Sequence, residues 1–232
     1  MQWNRTGSPV AAVLILLGAG TARAVSEDDV VTARPLARTE PWSATAGLTV
    51  GDGNSVIQGE VGWPALSVTY LRGLDDRTDI GGRVSVAYGF EGTVNNVAGL
   101  ALQVPIRRRV MSSGMLDVSV HADPGLSFYG GLSSGEGLLF GIGGPVGAVA
   151  GWRVSDAVTL DAGADVPLLL NFTSRAGLIF TPEVGVGAEY NLDPKMALTF
   201  RTRFGPTIAA VSNGAFAQFS FSSLIGLAYN MR

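Results

Sequence analysis

One histidine, His121, and no cysteine limit the chemistry this chain can perform. Any Ser/His or Asp/His hydrolytic arrangement must use His121 as its base. Ser119 and Asp117 share its parity, but same-face neighbours on an extended strand lie about 7 Å apart. Such spacing is no catalytic motif, because a base must sit within hydrogen-bond reach of the proton it takes. Thiolate metal sites are excluded, which leaves only a hard cation on clustered carboxylates. The run Gly141-Ile142-Gly143-Gly144-Pro145-Val146-Gly147 invites a phosphate-loop reading. Its third glycine is misplaced for the dinucleotide fingerprint, and no Gly-Lys-Ser/Thr follows. Neither a catalytic site, a metal nor a cofactor is expected.

The elements that carry these residues alternate. From Ala176 to Leu192 the even positions are apolar, while the odd ones include Thr181, Glu183, Gly185, Gly187, Glu189 and Asn191. This is the signature of a strand with two unlike faces. Parity is kept through Met196, Leu198, Phe200 and Phe204, then switches to odd at Phe219, Phe221, Ile225, Leu227, Tyr229 and Met231. Further alternating runs cover 158–172, 138–152, 116–128, 100–106, 80–90, 66–70 and 42–50. Together these are ten candidate strands, each about the length that crosses a membrane when tilted. Residues 51–63 alternate weakly through Ile57, Val61 and Trp63, and either extend a neighbour or form their own hairpin. No segment shows a helical stripe, so the class is all-β.

Composition agrees with an unusual environment. The 232 residues include 32 glycines, 47% hydrophobic and only 15% charged residues, with a net charge of −3. Charge is too sparse for a disordered chain, and no basic footprint exists for nucleic acid. At the amino terminus, Arg5, the apolar run 10–20 and Ala22-Arg23-Ala24 read as a signal peptide cut after Ala24. Residues 25–41, with Pro35 and Pro41, read as a flexible periplasmic leader. Residues 42–232 form the barrel.

Two architectures fit such strands: a secreted soluble β-sandwich, and a membrane barrel whose apolar faces meet lipid. Several runs outlast the 5–6 residues usual in soluble strands. Aromatic residues also sort into two bands. Trp42, Tyr70, Trp152, Tyr190 and Tyr229 fall at one end of their strands, and Tyr88, Phe90, Phe128, Phe140, Phe172, Phe180 and Phe219 toward the other. Interfacial belts place aromatics this way, with Trp42, Tyr70, Tyr88, Trp152, Tyr190 and Tyr229 as the headgroup-level rings. The expected fold is an up-and-down antiparallel membrane β-barrel of about ten strands, with eight or twelve as alternatives.

The chain resembles bacterial outer-membrane β-barrel proteins over residues 42–232. The unit from Val68 to Gly81, with Asp75, Asp76 and Arg77 in its turn, is similar to their strand-turn-strand repeats. The final strand resembles the segment that the outer-membrane assembly machinery recognises, although it ends in Arg232 rather than an aromatic residue. The resemblance implies a Gram-negative outer-membrane location and contacts with lipid, lipopolysaccharide and that machinery. A monomer is expected.

Turns at 72–78, 110–114, 154–156 and 192–194 would face the periplasm. The opposite connections, near 91–95, 130–136, 173–175 and 209–214, are short, so function is sought in the lumen. Inward parity places Arg83, Asp117, His121, Asp161, Asp165, Glu183, Glu189, Arg201 and Arg203 there. A hairpin turning at Asp193 sets Glu183 opposite Arg203, with Gly185 beside Arg201. These groups read as an ion-pair network filling a narrow barrel, with a constriction or ligand site as the other reading. A structural or narrow-pore role follows, with an outer-membrane lipid or peptide hydrolase using His121 as the alternative.

Overall fold

The computed structural model describes residues 41–89, 97–131, 138–173, 176–211 and 214–232. The expected signal peptide, the leader before Pro41, and residues 90–96, 132–137, 174–175 and 212–213 lie outside the described residues.

The wall starts at Ser55. β1 (Ser55–Trp63), β2 (Ala65–Asp75) and β3 (Thr78–Ala87) form a meander. β3 then pairs with both β4 (Val97–Gln103) and β5 (Ile106–Ser113), which are two halves of one stave. β6 (Leu116–Ala122) and β7 (Gly125–Gly131) are likewise halves of the next. β8 (Leu139–Arg153) and β9 (Val158–Asn171) follow as unbroken staves. β10 (Gly177–Phe180) and β11 (Glu183–Asn191) share one stave, and β12 (Met196–Val211) and β13 (Gly214–Asn230) complete the circuit. β13 pairs antiparallel with β1, from Val56↔Asn230 to Trp63↔Ser223, so the sheet closes. The result is a closed antiparallel barrel of 10 staves.

The count of ten agrees with the alternation, but one member differs. Residues 42–50 are not a stave, and the weakly alternating stretch supplies β1. Its parity explains the ambiguity: Val56, Gln58 and Glu60 point inward while Gly59 and two aliphatics point out, so neither face is uniformly apolar.

Proline explains why three staves are split. Pro105, Pro124 and Pro182 occupy the breaks between β4 and β5, β6 and β7, and β10 and β11. A proline has no N–H to donate to a ladder. Register carries Phe180↔Ile208 and Val184↔Phe204 across this gap, which sets Pro182 opposite Pro206. Pro145 and Pro167 also face each other in β8 and β9. Six successive staves thus carry a proline at nearly one level.

Burial is inverted relative to a soluble protein. Val184, Val186 and Ile225 are 54%, 55% and 56% exposed in mid-strand, while Glu60, Asp79, Asp165 and Glu189 are buried. A soluble sandwich would hide the first set and expose the second. The observed aromatic bands retain Tyr70, Trp152, Tyr190 and Tyr229, all exposed, near the end where β1 begins and β13 finishes, the terminal end of the barrel. Near the other end Phe128, Phe140 and Phe172 stack across three staves at centroid separations of 4.8 and 6.3 Å, and Tyr88 meets Trp63 at 6.1 Å.

Candidate functional site

The lumen has three levels, and the lowest is occupied by the chain itself. Trp42 to Val50 form an irregular coil inside the barrel at the terminal end. Trp42 is only 6% exposed, and its Nε1–H donates to the Pro194 carbonyl at 3.0 Å. It is therefore no interface aromatic, because apolar parity alone does not distinguish an outward ring from one folded inward. Trp42, Ala44 and Val50 pack against Val56, Leu71, Ala197 and Ala228 of the wall.

Three buried side chains hold this coil. Glu189 accepts from Ser43 Oγ at 2.9 Å, Ala44 N at 3.2 Å, and Thr45 N and Oγ1 at 3.3 Å. Arg107 donates to the carbonyls of Ser43, Ala44 and Ala46 at 2.8, 3.1 and 3.2 Å. Asp79 accepts from Arg107 Nη2 at 2.6 Å and from Val50 N at 3.2 Å. A coil crossing a lumen must find partners for its own N–H and C=O groups, and these residues supply them. Within the coil, Ser43 N donates to Thr49 O and Ala46 N to Ser43 Oγ, so it holds together as one unit. Its contact with the wall is close: a Cβ on Gly47 would stand 2.0 Å from Asp117 O.

The middle level is a girdle of ion pairs. Arg83 meets Asp123 at 2.6 Å and Thr69 Oγ1 at 2.9 Å. Arg201 meets Glu60 at 2.8 Å, and Ser67 donates to the same carboxylate. Asp165 takes His121 Nε2 at 2.6 Å and, on its other oxygen, Arg203. Asp117 lies 3.5 Å from Arg153 and 4.0 Å from Arg109. Glu183 accepts from Ser220 Oγ at 3.0 Å. Asp161 sits against Gly187, where a Cβ would fall 2.6 Å from its Oδ2.

All nine inward charges read from the sequence thus lie on the lumen side, but not as one cluster. Glu189 belongs to the coil, and Asp117 stands beside it. The expected hairpin pairing is corrected: the turn after β11 is longer, and the register sets Gly185 opposite Arg203 and Gly187 opposite Arg201. Glu183 therefore bonds Ser220 on β13. A slip of two residues preserves parity, which is why the faces came out correctly when the partners did not. Asp79, Arg107, Glu60 and Asp123 join the lumen charges in the structure. Two of them flank segments read as turns or ends, and Glu60 lies in the ambiguous stretch. His121 Nε2 stands 2.6 Å from Asp165 Oδ1, while Ser119 Oγ is buried without a hydrogen-bond partner among the described residues. The pair is not joined as a nucleophile and base would be.

Above the girdle the inward residues change character. Leu169, Ile179 and Ala209 pack together with Tyr129 against them, and Thr181 and Thr207 share a hydrogen bond at 3.0 Å. A cavity of about 220 Å³ runs through the lumen, from Ala44 and Thr45 of the coil past Arg83, Arg201 and Arg203 to Leu169, Ile179 and Tyr129.

No protein-family model matches the chain, and no curated protein matches it. Among solved structures it is similar to a bacterial polysaccharide outer membrane secretin at 12% identity and a TM-score of 0.43, over 76% of this chain and 58% of that one. The chain thus spans little more than half the secretin's length. It is also similar to the outer membrane channel DcaP of Acinetobacter baumannii, at 14% identity and a TM-score of 0.29, covering 73% and 64% of the two chains. Ail, the attachment invasion locus protein of Yersinia pestis, shows 14% identity and a TM-score of 0.28 over 78% and 99%. These structural neighbours are bacterial outer-membrane β-barrels.

Proposed function

We propose that the protein is an integral outer-membrane β-barrel with a structural role, whose lumen is a chamber closed at the terminal end by residues 42–50. An exterior of exposed aliphatics bounded by two aromatic bands suits a bilayer, and a closed wall leaves no unpaired sheet edge in hydrocarbon. The carrying observation is the coil's attachment to Glu189, Arg107 and Asp79. A diffusion pore has no use for a segment so tied across its lumen, and wide porins use about 16 strands. In this reading the wall's partners are outer-membrane lipid and lipopolysaccharide, β13 is presented to the assembly machinery, and the barrel works as a monomer without catalysis.

Planar-bilayer conductance tests the proposal. The refolded chain is expected to be electrically silent, and a variant lacking residues 25–50 to open discrete channels. Equal conductance of the two would overturn the closed end.

A further inference from the structure

The wall closes between β13 and β1, but these strands overlap along only part of their length. Their pairing stops at Trp63↔Ser223, where the chain turns through Pro64 into β2. β13 goes on to Gly214 with β12 alone beside it, from Arg203↔Ser222 to Val211↔Gly214. The cause is the stagger of the barrel. A row of partners that leaves β13 at Leu227 passes through Gly59 and Val68, runs round the ring, and returns through Leu178 and Ala210 to β13 at Ala215. Rows climb in this way in any sheared barrel. Here the rim follows the rows, so the whole rise is released in one step where β13 stands beside the short β1–β2 hairpin.

The step leaves a sheet edge. Met231 N donates to Ser55 O and Asn230 N to Lys195 O, so odd residues of β13 aim their backbone groups toward β1 and even residues toward β12. The register of β13 on β12 is unbroken. Above Ser223 the N–H and C=O groups of Ala215, Ala217, Phe219 and Phe221 therefore point to the open side, and no strand pairs with them among the described residues. Phe219 is 70% exposed, and Ala215 and Ala217 are exposed with it. Because Trp63 belongs to the aromatic band at this end, the edge rises from headgroup level away from the hydrocarbon. Free edges are usually blunted by charge, proline or a bulge. Gly214 to Ser222 contains neither a charged residue nor a proline, and its ladder has no bulge.

We propose that this edge docks an extended polypeptide segment, which adds a strand in the line of β1, antiparallel to β13 and beyond the Trp63-Pro64 turn. The unmet groups are backbone donors and acceptors repeating about every 7 Å, the spacing of alternate residues in a strand. Another polypeptide backbone matches them, whereas an acyl chain offers neither donor nor acceptor. Beside the edge, Gln218, Ser220 and Ser222 lie on the inward parity and Ala217, Phe219 and Phe221 on the outward one. The segment that fits thus alternates apolar with small polar side chains, its apolar positions flanking Phe219 and Phe221. A second copy of the barrel does not fit. Barrel strands tilt about 35–45° from the axis, so two such edges brought face to face in one membrane would cross at roughly 70–90° and could not share a ladder. The lower part of β13 is used up by β1 on closure, so this upper edge serves the finished barrel and not its assembly.

The test uses the full chain refolded into phosphatidylcholine nanodiscs, with amide hydrogen exchange followed by NMR. In the protein alone the amides of Ala217 and Phe219 are expected to exchange at least about tenfold faster than those of Gln218 and Ser220, which are bonded to β12. A capped peptide of alternating valine and threonine is expected to bind saturably at one per barrel and to slow Ala217 and Phe219 to the level of their neighbours. In an antiparallel ladder the bonded residues of the peptide share the outward face of the odd residues. N-methylation of its valines is therefore expected to weaken binding about tenfold or more, and N-methylation of its threonines to leave it unchanged. Ala217→Pro removes a donor from the edge while sparing the ladder to β12, and is expected to weaken the peptide likewise; the N-methylated pair decides the matter even if this variant fails to fold. Protection of Ala217 and Phe219 in the protein alone would mean that the edge is already covered, and protection that grows with protein concentration would assign it to a second copy. Binding indifferent to the position of N-methylation would assign it to side chains or lipid. Each of these results overturns the inference. Residues 42–50 take no part in the readout, so the closed end and the docking edge fail separately.

Discussion

Replacing Glu189 by Gln isolates the attachment of the amino-terminal coil. The substitution keeps the side chain's size but removes the charge that collects Ser43 Oγ, Ala44 N and Thr45 N and Oγ1. An amide oxygen accepts fewer of these donors, and its NH2 group confronts the rest. A hydrogen bond to a charged group contributes about 1.5–3 kcal/mol, and the bonds to one carboxylate are not additive, so about 2–4 kcal/mol of seating energy is lost. That corresponds to a rise of about 30- to 700-fold in the population with the coil released. The chain has no cysteine, so a single Val50→Cys reports release directly, Val50 being fully buried with the coil seated. Maleimide modification should accelerate by that factor in the Glu189→Gln background. Internal bonds between Ser43, Ala46 and Thr49 make the coil move as a unit, which is why a probe at Val50 reads a change at Glu189. An unchanged rate would refute the role assigned to Glu189.

Other perturbations address the wall and girdle. Asp79→Asn breaks the buried pair with Arg107 and should cost about 3–5 kcal/mol in guanidinium unfolding. Gly185→Ala places a Cβ 2.2 Å from Thr202 O and should destabilise by about 1–3 kcal/mol, whereas Gly82→Ala, with nothing within 4 Å, should leave the unfolding midpoint in place. Val186→Arg, in mid-wall, should cost about 2–4 kcal/mol in refolding into vesicles, and Leu192→Arg, at the terminal rim, about 0–1 kcal/mol. Equal costs at the two positions would contradict a bilayer around the wall.

A period of two in the sequence determined a great deal. Alternation at period two assigns each residue to a face without knowing its partner, so Val184 and Val186 could be placed outside and Glu183 and Glu189 inside from the sequence alone. The aromatic bands at Tyr70, Trp152, Tyr190 and Tyr229 followed from the same parity, because a ring at a strand end keeps its height whatever the register. Partners were a different matter. Arg203 lies opposite Gly185, and a two-residue change in turn length decides this without disturbing any face. Prolines were visible in the sequence, but their alignment at one level emerged only from the register of six staves.

The largest decision left to tertiary structure concerns residues 42–50. Trp42, Ala44, Ala46, Leu48 and Val50 alternate as a strand does, yet the wall closes without them through β1 and β13. Once closure is complete no edge remains at the terminal end to pair with, so the segment's N–H and C=O groups must be satisfied inside, and only the assembled lumen brings Glu189, Arg107 and Asp79 to them. Local pattern reports which face of an element is apolar. Whether that face meets the surroundings or the inside of a barrel depends on where the ring closes, which is a property of the whole chain.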